Sequence, residues 1–398
     1  MQTTSSRTSS TVTSTNSKTC LYIHIPFCPT GCKFCHFYLS GGKTPNYVWY
    51  LEKEFVQRFW EEKVFVDTIH IGWWTPNLLS DQELESLFAC IQKRCYWWKE
   101  LSIELHTDLL SFSQLDTLKK WWVTRISFGI QSFDKEILAH HARISRNYDK
   151  LWWYIEYAKK IGFEKINFDL IYDLIGDSPE NIKKNIEFVS RYQPTSVNYY
   201  WLRLLTDFLR QNHTINYKRR FAYYLLIRAW LTELWYIQKN EAIYHKPWFE
   251  NGKNFLYEDY VYSKPHTVHA IGVSASSQSN EKFAKNVISI ERYMQLLDGN
   301  HSPHDLEFTL DEIPYLLYRF YYWLLMYPKM VFQNFEDQYW RGSIEKIYDD
   351  IVRLEKEELI TLDKFSVKLT QKWLFYFMAL EDILMKDYTR ELSLLRKL

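Results

Sequence analysis

The sequence predicts an α/β fold: a partial (β/α)6 TIM-like barrel followed by a mostly helical C-terminal domain. Over roughly the first 200 residues, six short runs of β-branched and aromatic residues alternate with longer segments of helical spacing. This alternation is typical of a parallel sheet with right-handed crossovers. A cysteine-rich loop follows the first run, and the alternation stops after residue 205. Six units fit a partial barrel better than a closed eightfold one.

The six predicted strands are connected by five predicted helices. The strands are 21–25, 64–71, 101–105, 125–130, 165–171 and 196–201. The helices are 47–63, 81–94, 113–120, 148–160 and 179–190. Ser80 is the predicted N-cap of the second helix, and Ser111 or Ser113 that of the third. Active sites of parallel barrels lie at the C-terminal strand ends, which is where the cysteine loop follows the first strand.

Composition and the alternation of predicted strands and helices divide the chain into four predicted parts. Residues 1–19 are rich in Ser and Thr and are expected to form a disordered tail, with an organellar transit peptide as the alternative. Residues 20–205 form the core, 206–285 an extension that completes the barrel edge, and 286–398 a mostly helical domain. Within the last part, 358–373 has the pattern of a hairpin between helices, as in a winged-helix-like module. A purely helical domain is the alternative.

Charge and hydropathy exclude two classes of partner. A net charge of +1 on 398 residues gives no basic field, so nucleic acid is not an expected partner. No apolar run approaches the roughly 18 residues that a membrane helix requires. Cys20, Cys90 and Cys95 lie apart from the cysteine loop and are expected to be reduced packing residues. A reducing cytoplasm is therefore the predicted compartment.

The cysteine loop is the predicted chemical centre. Cys28, Cys32 and Cys35 have the spacing C-x3-C-x2-C directly after the first strand. Three thiolates can hold three irons of a 4Fe–4S cube and leave the fourth iron open for a ligand. Three unrelated cysteines, or a zinc site that lacks its fourth ligand, are the alternatives. His36 is adjacent to Cys35 and poorly placed to supply that ligand.

Several motifs resemble the radical S-adenosylmethionine (SAM) family, specifically its branch of coproporphyrinogen dehydrogenases and heme chaperones. The resemblance runs from about residue 21 to 384. Its motifs are YIHIPFC before the cysteine loop, TPNLLS, IEL at 103–105, INFDLIYDLIG, IGVSASS and LTQKW. The most specific match is RISFGIQSFD at 125–134, which is close to the branch signature R-x-S-x-G-x-Q-S-F-D. The implied fold is a barrel of the radical SAM type.

The resemblance implies a role for each candidate site residue. Cys28, Cys32 and Cys35 would hold the cluster, and SAM would chelate its open iron. The implied SAM-binding residues are Tyr22, Phe34 near the adenine, Trp73, Trp74 and Thr75 at the methionine amine, Glu104 at the ribose hydroxyls, and Gln131, Arg143 and Asp169 around the same pocket. The implied chemistry is one-electron reductive cleavage of SAM to a 5′-deoxyadenosyl radical, with flavodoxin or ferredoxin as the electron donor.

Phe37 favours the heme-chaperone side of the branch, because the dehydrogenases carry a further cysteine at that position. The chaperone segment H-N-x-x-Y-W matches residues 253–258 here, where Asn254 and Tyr257 are kept but Lys253 and Glu258 replace His and Trp. Alternative heme ligands are His266 and His269. Three hypotheses therefore stand: a heme chaperone that passes heme to acceptor proteins, an oxygen-independent porphyrinogen oxidase, and a radical SAM protein with an unrelated substrate.

Tryptophan is abundant where the family has glycine. The chain has 17 tryptophans and 11 glycines, whereas about 7% glycine, roughly 28 residues, is usual. Doublets occur at 73–74, 97–98, 121–122 and 152–153. The positions that match family glycines are Trp73, Trp74, Trp122, Trp235 and Trp373. One hypothesis is that these are UGA codons that the cell reads as glycine. The other is a genuinely Trp-rich variant with a blocked SAM site and weakened SAM binding.

Overall fold

The fold is described from a computed structural model of the chain. The described residues are 18–29, 31–35, 42–59, 63–72, 75–143, 148–249, 256–263, 266–279, 282–309, 311–327, 329–339, 341–370 and 372–373. Five residues on which predictions rest lie outside these ranges: Phe37, Trp73, Trp74, Lys253 and Asn254.

Strands and helices alternate through the first 200 residues and become less regular afterwards. The strands are β1 (Lys18–His24), β2 (Val64–Phe65), β3 (Thr68–Gly72), β4 (Cys95–Tyr96), β5 (Glu100–Leu105), β6 (Arg125–Gln131), β7 (Lys165–Tyr172), β8 (Ser196–Trp201), β9 (Ile237–Gln238), β10 (Ile243–His245), β11 (His266–Ile271), β12 (Ser276–Gln278), β13 (Lys282–Asn286), β14 (His304–Thr309), β15 (Lys329–Val331), β16 (Ile360–Leu362) and β17 (Ser366–Leu369). The helices are α1 (Tyr47–Phe59), α2 (Asp81–Arg94), α3 (Phe112–Lys120), α4 (Lys135–His140), α5 (Tyr148–Lys160), α6 (Pro179–Tyr192), α7 (Asp207–Asn212), α8 (Tyr217–Glu233), α9 (Leu256–Ser263), α10 (Ile290–Asp298), α11 (Glu312–Met326), α12 (Phe332–Gln338) and α13 (Ser343–Lys356).

The main sheet has the order β14-β13-β12-β11-β1-β3-β5-β6-β7-β8-β10-β9. The run from β11 to β8 is parallel, and the strands outside this run pair antiparallel. The described strands are thus ordered as an open parallel sheet with antiparallel extensions, which confirms the predicted α/β class. One parallel strand, β11, lies beyond the six predicted ones and pairs with β1 on the side away from β3.

Local signals explain most element boundaries. Ser80 and Glu83 form a capping box at α2, and Ser111 and Gln114 form one at α3, so Ser111 rather than Ser113 is the cap.

The prediction of a single strand over 64–71 is wrong, because the structure has two strands there, β2 and β3. The run is interrupted because the Asp67 carboxylate accepts a 3.0 Å hydrogen bond from the backbone N–H of Thr19, and β2 pairs with β4 in a separate small sheet.

The C-terminal part has its own buried cluster. The predicted hairpin is present as the antiparallel pair β16 and β17, which joins β15 in a three-stranded sheet. Phe320, Phe335, Ile347 and Trp373 are buried in this cluster. The four-part division of the chain remains a prediction.

The described helices include none that is both long and apolar enough to span a bilayer.

Three of the described tryptophans have left-handed backbone conformations. Trp97, Trp122 and Trp235 have φ values of 62°, 56° and 63°. Their side chains are 67%, 61% and 78% exposed, respectively. A positive φ is an outlier for a bulky residue, and exposed side chains gain little packing in return. Trp373 differs, since it is 1% exposed and stacks on Tyr321.

Gly272 lies at a position where only glycine fits. Its φ is 107°, and a Cβ there would approach the His24 carbonyl oxygen and the Tyr47 hydroxyl to 2.7 Å. Gly272→Ala is therefore expected to destabilise the protein by about 2 kcal/mol, through backbone strain and displacement of the end of β1. Urea denaturation measures this, with Gly42→Ala as a control because a Cβ at Gly42 meets nothing within 4 Å. Equal stability of the two variants would contradict the close approach at Gly272.

Candidate functional site

The cysteine loop leaves the C-terminal end of β1. Cys28 and Cys32 are buried and Cys35 is half-buried, and the Cys35 N–H donates to the Cys32 carbonyl at 3.0 Å. Among the described residues, no three His, Cys, Asp or Glu side chains are grouped around the position of a single metal ion. A zinc ion would require such a grouping, whereas a 4Fe–4S cube distributes three thiolates over three irons.

Two neighbouring loops hold the cysteine loop by its backbone. The Lys33 N–H donates to the His141 carbonyl at 2.9 Å, and the Thr206 hydroxyl donates to the Lys33 carbonyl at 2.7 Å. The His141 ring in turn accepts a 3.0 Å hydrogen bond from the Ile175 N–H. The loop is thereby fixed against the segments that follow α4, β7 and β8.

A cavity of about 350 Å³ adjoins the cysteine loop. Its volume is within the usual range for small-molecule sites, roughly 300–1,000 Å³. Six predicted site residues line it together: Phe34, Cys35, Glu104, Gln131, Arg143 and Asp169. The remaining lining residues are His70, Leu105, Arg125, Ser127, Gly129, Ile171, Asn198, Tyr200, Trp201, Leu202, Arg203 and Glu258.

A β-bulge arranges the side of the cavity near the thiols. The register of β6 against β7 shifts between Gly129 and Gln131, and Gln131 has a φ of 71°. Bulges of this kind redirect a side chain, here that of Gln131. Arg143 donates to the Gly129 carbonyl, and its Nη1 lies 3.8 Å from the Cys32 sulfur. A fixed cation therefore lies between the cavity and the cysteine loop.

Two of the predicted site residues that line the cavity are carboxylates, Glu104 and Asp169. Asp169 accepts hydrogen bonds from the Ser127 hydroxyl and from the amides of Asn167 and Asn198, both amides at 3.0 Å. Burial, and secondarily the nearby charge of Glu104, raise the pKa of Asp169 to about 6. Glu104 lies 3.2 Å from the His70 ring nitrogen Nε2.

Asp169 is expected to make stability depend on pH. Between its ordinary pKa of 3.8 and about 6, the folded protein binds more protons than the unfolded chain, so stability falls as pH rises through this window. Asp169→Asn should remove that fall. Denaturation at pH 4.5 and pH 7 measures it. An unchanged difference between the two pH values in the variant would contradict the assignment.

The other predicted residues that the structure describes are not among those that line the cavity. Tyr22 donates or accepts a 3.0 Å hydrogen bond with His24 Nδ1, and its ring stacks on His70 with centroids 6.0 Å apart. Thr75 is fully buried, and its hydroxyl has no hydrogen-bond partner within the described ranges. Cys28 and Cys32 do not line the cavity, and Trp73 and Trp74 lie outside the described residues.

Sequence reasoning missed several polar residues of the cavity. His70, Ser127, Asn198 and Glu258 were not assigned, and Arg125 was noted only as part of a motif. Glu258 accepts a 2.6 Å ion-paired hydrogen bond from buried Arg125, which connects α9 to β6. Strand alternation could have placed Ser127 on the cavity face. Ser127 lies two residues before Gly129 on β6, and residues at that spacing face the same side of a strand.

The predicted heme ligands do not converge. His266 and His269 lie three residues apart on β11, and side chains at that spacing point to opposite faces of a strand. His269 packs on Phe59 at 4.9 Å, and burial lowers its pKa to about 4. The two rings therefore cannot bind one iron from the same side.

The residues present fit SAM and an iron–sulfur cluster. Three thiols are available at the loop, and carboxylate and amide acceptors line the adjoining cavity. The buried Thr75 hydroxyl lacks a described partner. A Cβ on Gly72 would come within 2.7 Å of His70 and 3.1 Å of Glu104, so the backbone at the end of β3 lies close to that carboxylate. The absence of a side chain at Gly72 leaves the Glu104 carboxylate accessible from this strand end.

Comparisons with known proteins agree on the family. The model of the Radical SAM superfamily matches residues 22–189. The heme chaperone HemW of Lactococcus lactis is 28% identical over 372 residues, which cover 88% of this chain and 93% of the relative. The oxygen-independent coproporphyrinogen III oxidase of Helicobacter pylori is 23% identical over 380 residues, 88% of this chain and 82% of the relative.

The solved structure of coproporphyrinogen III oxidase (HemN) from Escherichia coli shares the fold. It matches with a TM-score of 0.77 at 20% identity, over 89% of this chain and 87% of that chain. The family implies SAM and a 4Fe–4S cluster as cofactors. Residues 22–189 therefore match a Radical SAM domain, and most of the chain is similar both to a HemW heme chaperone and to oxygen-independent coproporphyrinogen III oxidases.

Proposed function

We propose that the chain binds a 4Fe–4S cluster through Cys28, Cys32 and Cys35, binds SAM in the adjoining cavity, and acts in heme or porphyrin metabolism as a heme chaperone. The observation that carries the proposal is the shared cavity. The cysteine loop, β5, β6, β7 and the segment after α4 each contribute a side chain that the resemblance assigned to SAM or the cluster.

Each side chain has a defined task in this proposal. Phe34 packs beside the adenine, and Glu104 accepts hydrogen bonds from the ribose hydroxyls. Gln131, Arg143 and Asp169 hold the remaining polar groups of SAM. Thr75, with residues 73 and 74, meets the methionine amine, and Tyr22 supports the cavity through His70.

The apolar lining residues Leu105, Ile171 and Leu202 exclude water from the same space. With SAM bound and one electron supplied, the cluster would provide reductive cleavage of SAM. We propose flavodoxin or ferredoxin as the electron donor and the cytoplasm as the compartment.

The chaperone reading is preferred over an oxidase for two reasons. Phe37 stands where the dehydrogenases carry a further cysteine, and the Lactococcus HemW relative aligns over nearly its whole length. Heme and heme-accepting proteins are then the proposed partners. Lys253 and Glu258 replace the His and Trp of the heme-linked segment of the branch. A heme ligand in this chain would therefore be a different residue from the one in that segment. The oxidase remains the second candidate, supported by the Helicobacter relative.

Cluster binding tests the first part of the proposal. After anaerobic reconstitution, we expect the wild-type chain to retain about four irons and four sulfides, as the three-thiolate site requires. Cys35→Ala should lose the cluster. Cys95→Ala is the matched control, because that cysteine is buried away from the loop and should leave the iron content unchanged. Equal iron content in all three proteins would contradict the assignment.

Heme titration and a product assay separate the two candidates. A chaperone is expected to shift the Soret band of added heme and to leave coproporphyrinogen III intact. Decarboxylation of coproporphyrinogen III without a Soret shift would establish the oxidase instead. SAM titration of the same reconstituted protein tests the cavity independently of either outcome.

A further inference from the structure

His70 has a defined place beside Glu104. It lies on β3 opposite Ser102 of β5, and Ser102 precedes Glu104 by two residues on the same strand face. The His70 ring joins the two, since Nδ1 lies 2.7 Å from the Ser102 hydroxyl and Nε2 lies 3.2 Å from a Glu104 carboxylate oxygen. Both ring nitrogens are thus used, and both bonds reach the strand that carries the predicted ribose ligand.

The ring of His70 is held in place by its surroundings. It stacks on Tyr257 of α9 with centroids 4.9 Å apart and on Tyr22 of β1 at 6.0 Å, both at interplanar angles of 25°. The backbone at Gly72, the last residue of β3, lies beside its edge, because a Cβ on Gly72 would meet Nε2 at 2.7 Å. Elements on three sides therefore fix the ring, and the ring can fix the carboxylate.

We propose that His70 is a positioning residue that holds Glu104 in the rotamer required for the ribose hydroxyls. The inference rests on the proposed function, since it requires SAM in the cavity. A binding group must be held within about 0.5 Å of its productive geometry, and a hydrogen bond from a locked ring supplies that restraint. The contact with Nε2 thus restrains the half-exposed Glu104 carboxylate in its observed orientation.

The test is a double-mutant cycle on SAM affinity. His70→Phe keeps the stacked ring and removes both nitrogens, and Glu104→Ala removes the carboxylate. Affinity is measured by calorimetry on the reconstituted protein. His70→Phe is expected to weaken SAM binding about tenfold, the scale of one hydrogen bond to a charged group. In the Glu104→Ala background the same substitution should change nothing. His301→Phe is the control, because His301 is exposed after α10 and does not line the cavity.

Each result decides the proposal. Equal losses from His70→Phe with and without Glu104 would show an independent or purely structural role and would overturn it. Full affinity in His70→Phe would do the same. If the wild-type chain retains the cluster but binds no SAM in calorimetry, the proposed function fails and the inference fails with it, so the two failures are distinguishable.

A second inference rests on the backbone of two helix ends. After α3, the Trp122 N–H donates to Lys119 O and the Val123 N–H to Leu118 O, both at 3.1 Å. After α8, the Trp235 N–H donates to Thr232 O and the Tyr236 N–H to Leu231 O, both at 2.9 Å. These are Schellman motifs, whose left-handed residue is usually glycine.

The chain contains the same motif with a glycine. After α5, the Gly162 N–H donates to Lys159 O at 3.0 Å and the Phe163 N–H to Ala158 O at 2.9 Å, with a φ of 92° at Gly162. Trp122 and Trp235 occupy the position of Gly162 in otherwise equal helix ends. Asn300 and Glu358 also adopt positive φ, but neither is a large aromatic.

The geometry points to glycine at Trp97, Trp122 and Trp235 in the protein as its own cell makes it, through UGA codons that the cell reads as glycine. The glycine deficit and tryptophan excess of the whole chain agree with this reading. The inference extends to the tryptophan doublet at 73–74, which matches two family glycines in the sequence.

Coding DNA and peptide mass spectrometry of the protein from its natural cells test this second inference. UGA codons together with the mass of glycine at residues 97, 122 and 235 are expected. UGG codons at these positions, or UGA codons with the mass of tryptophan, would overturn it. Trp323, which is buried in the C-terminal cluster, serves as the tryptophan reference peptide.

Discussion

Replacement of Trp97, Trp122 and Trp235 together by glycine is expected to stabilise the protein by about 3 kcal/mol. Each tryptophan is exposed and has a positive φ, so its side chain adds little packing while its Cβ strains the backbone. The left-handed conformation is unfavourable by about 1–2 kcal/mol for a residue with a Cβ, and glycine removes most of this. Urea denaturation of the purified variants measures the gain.

Two controls isolate the backbone effect. Trp153 is 64% exposed but lies inside α5, so Trp153→Gly should destabilise by about 0.5 kcal/mol. Alanine at positions 97, 122 and 235 removes the indole but keeps the Cβ, and should give little of the gain. A triple glycine variant less stable than the wild type would contradict the strain argument.

Glu54→Ala is expected to destabilise the protein by about 3–5 kcal/mol. Glu54 is fully buried on α1 and accepts hydrogen bonds from the Gly272 N–H at 2.8 Å, Asn286 Nδ2 at 2.8 Å and the Tyr293 hydroxyl at 2.6 Å. It also pairs with Arg58 at 3.4 Å. Removing the carboxylate leaves these donors buried without their acceptor.

Glu52→Ala on the same helix is the matched control, since Glu52 is only half-buried and should change stability by no more than about 0.5 kcal/mol. Because Glu54 holds the Gly272 N–H, and the backbone at Gly272 lies so close to the end of β1 that a Cβ there would meet the His24 carbonyl, Glu54→Ala should also release iron faster from the reconstituted protein. Comparable urea midpoints for the two alanine variants would refute the importance of this network.

The sequence predicted the parallel core well because its signals are local. Runs of β-branched residues located β5 to β8 within a residue or two, and Ser80 and Ser111 marked helix starts through their own side chains. Glu104 and Asp169 were assigned through the resemblance to the family, which the short motifs IEL and INFDLIYDLIG carry. These features depend on residues close together in the chain.

The features that were missed depend on distant partners. β11 was not recognised as a seventh parallel strand, since its partner β1 lies about 250 residues earlier. His70 and Asn198 were not assigned because polar residues on a strand do not reveal which face points inward. The Arg125–Glu258 pair joins two segments that no local pattern connects.

The position of β1 between β3 and β11 has a consequence for biosynthesis. The strand that carries the cysteine loop gains its second neighbour only after residue 271 has left the ribosome. At about 5–20 residues per second, the loop is made roughly 10–50 s before its frame is complete. If the three thiols hold a cluster as proposed, its assembly is expected only after most of the chain has been synthesised.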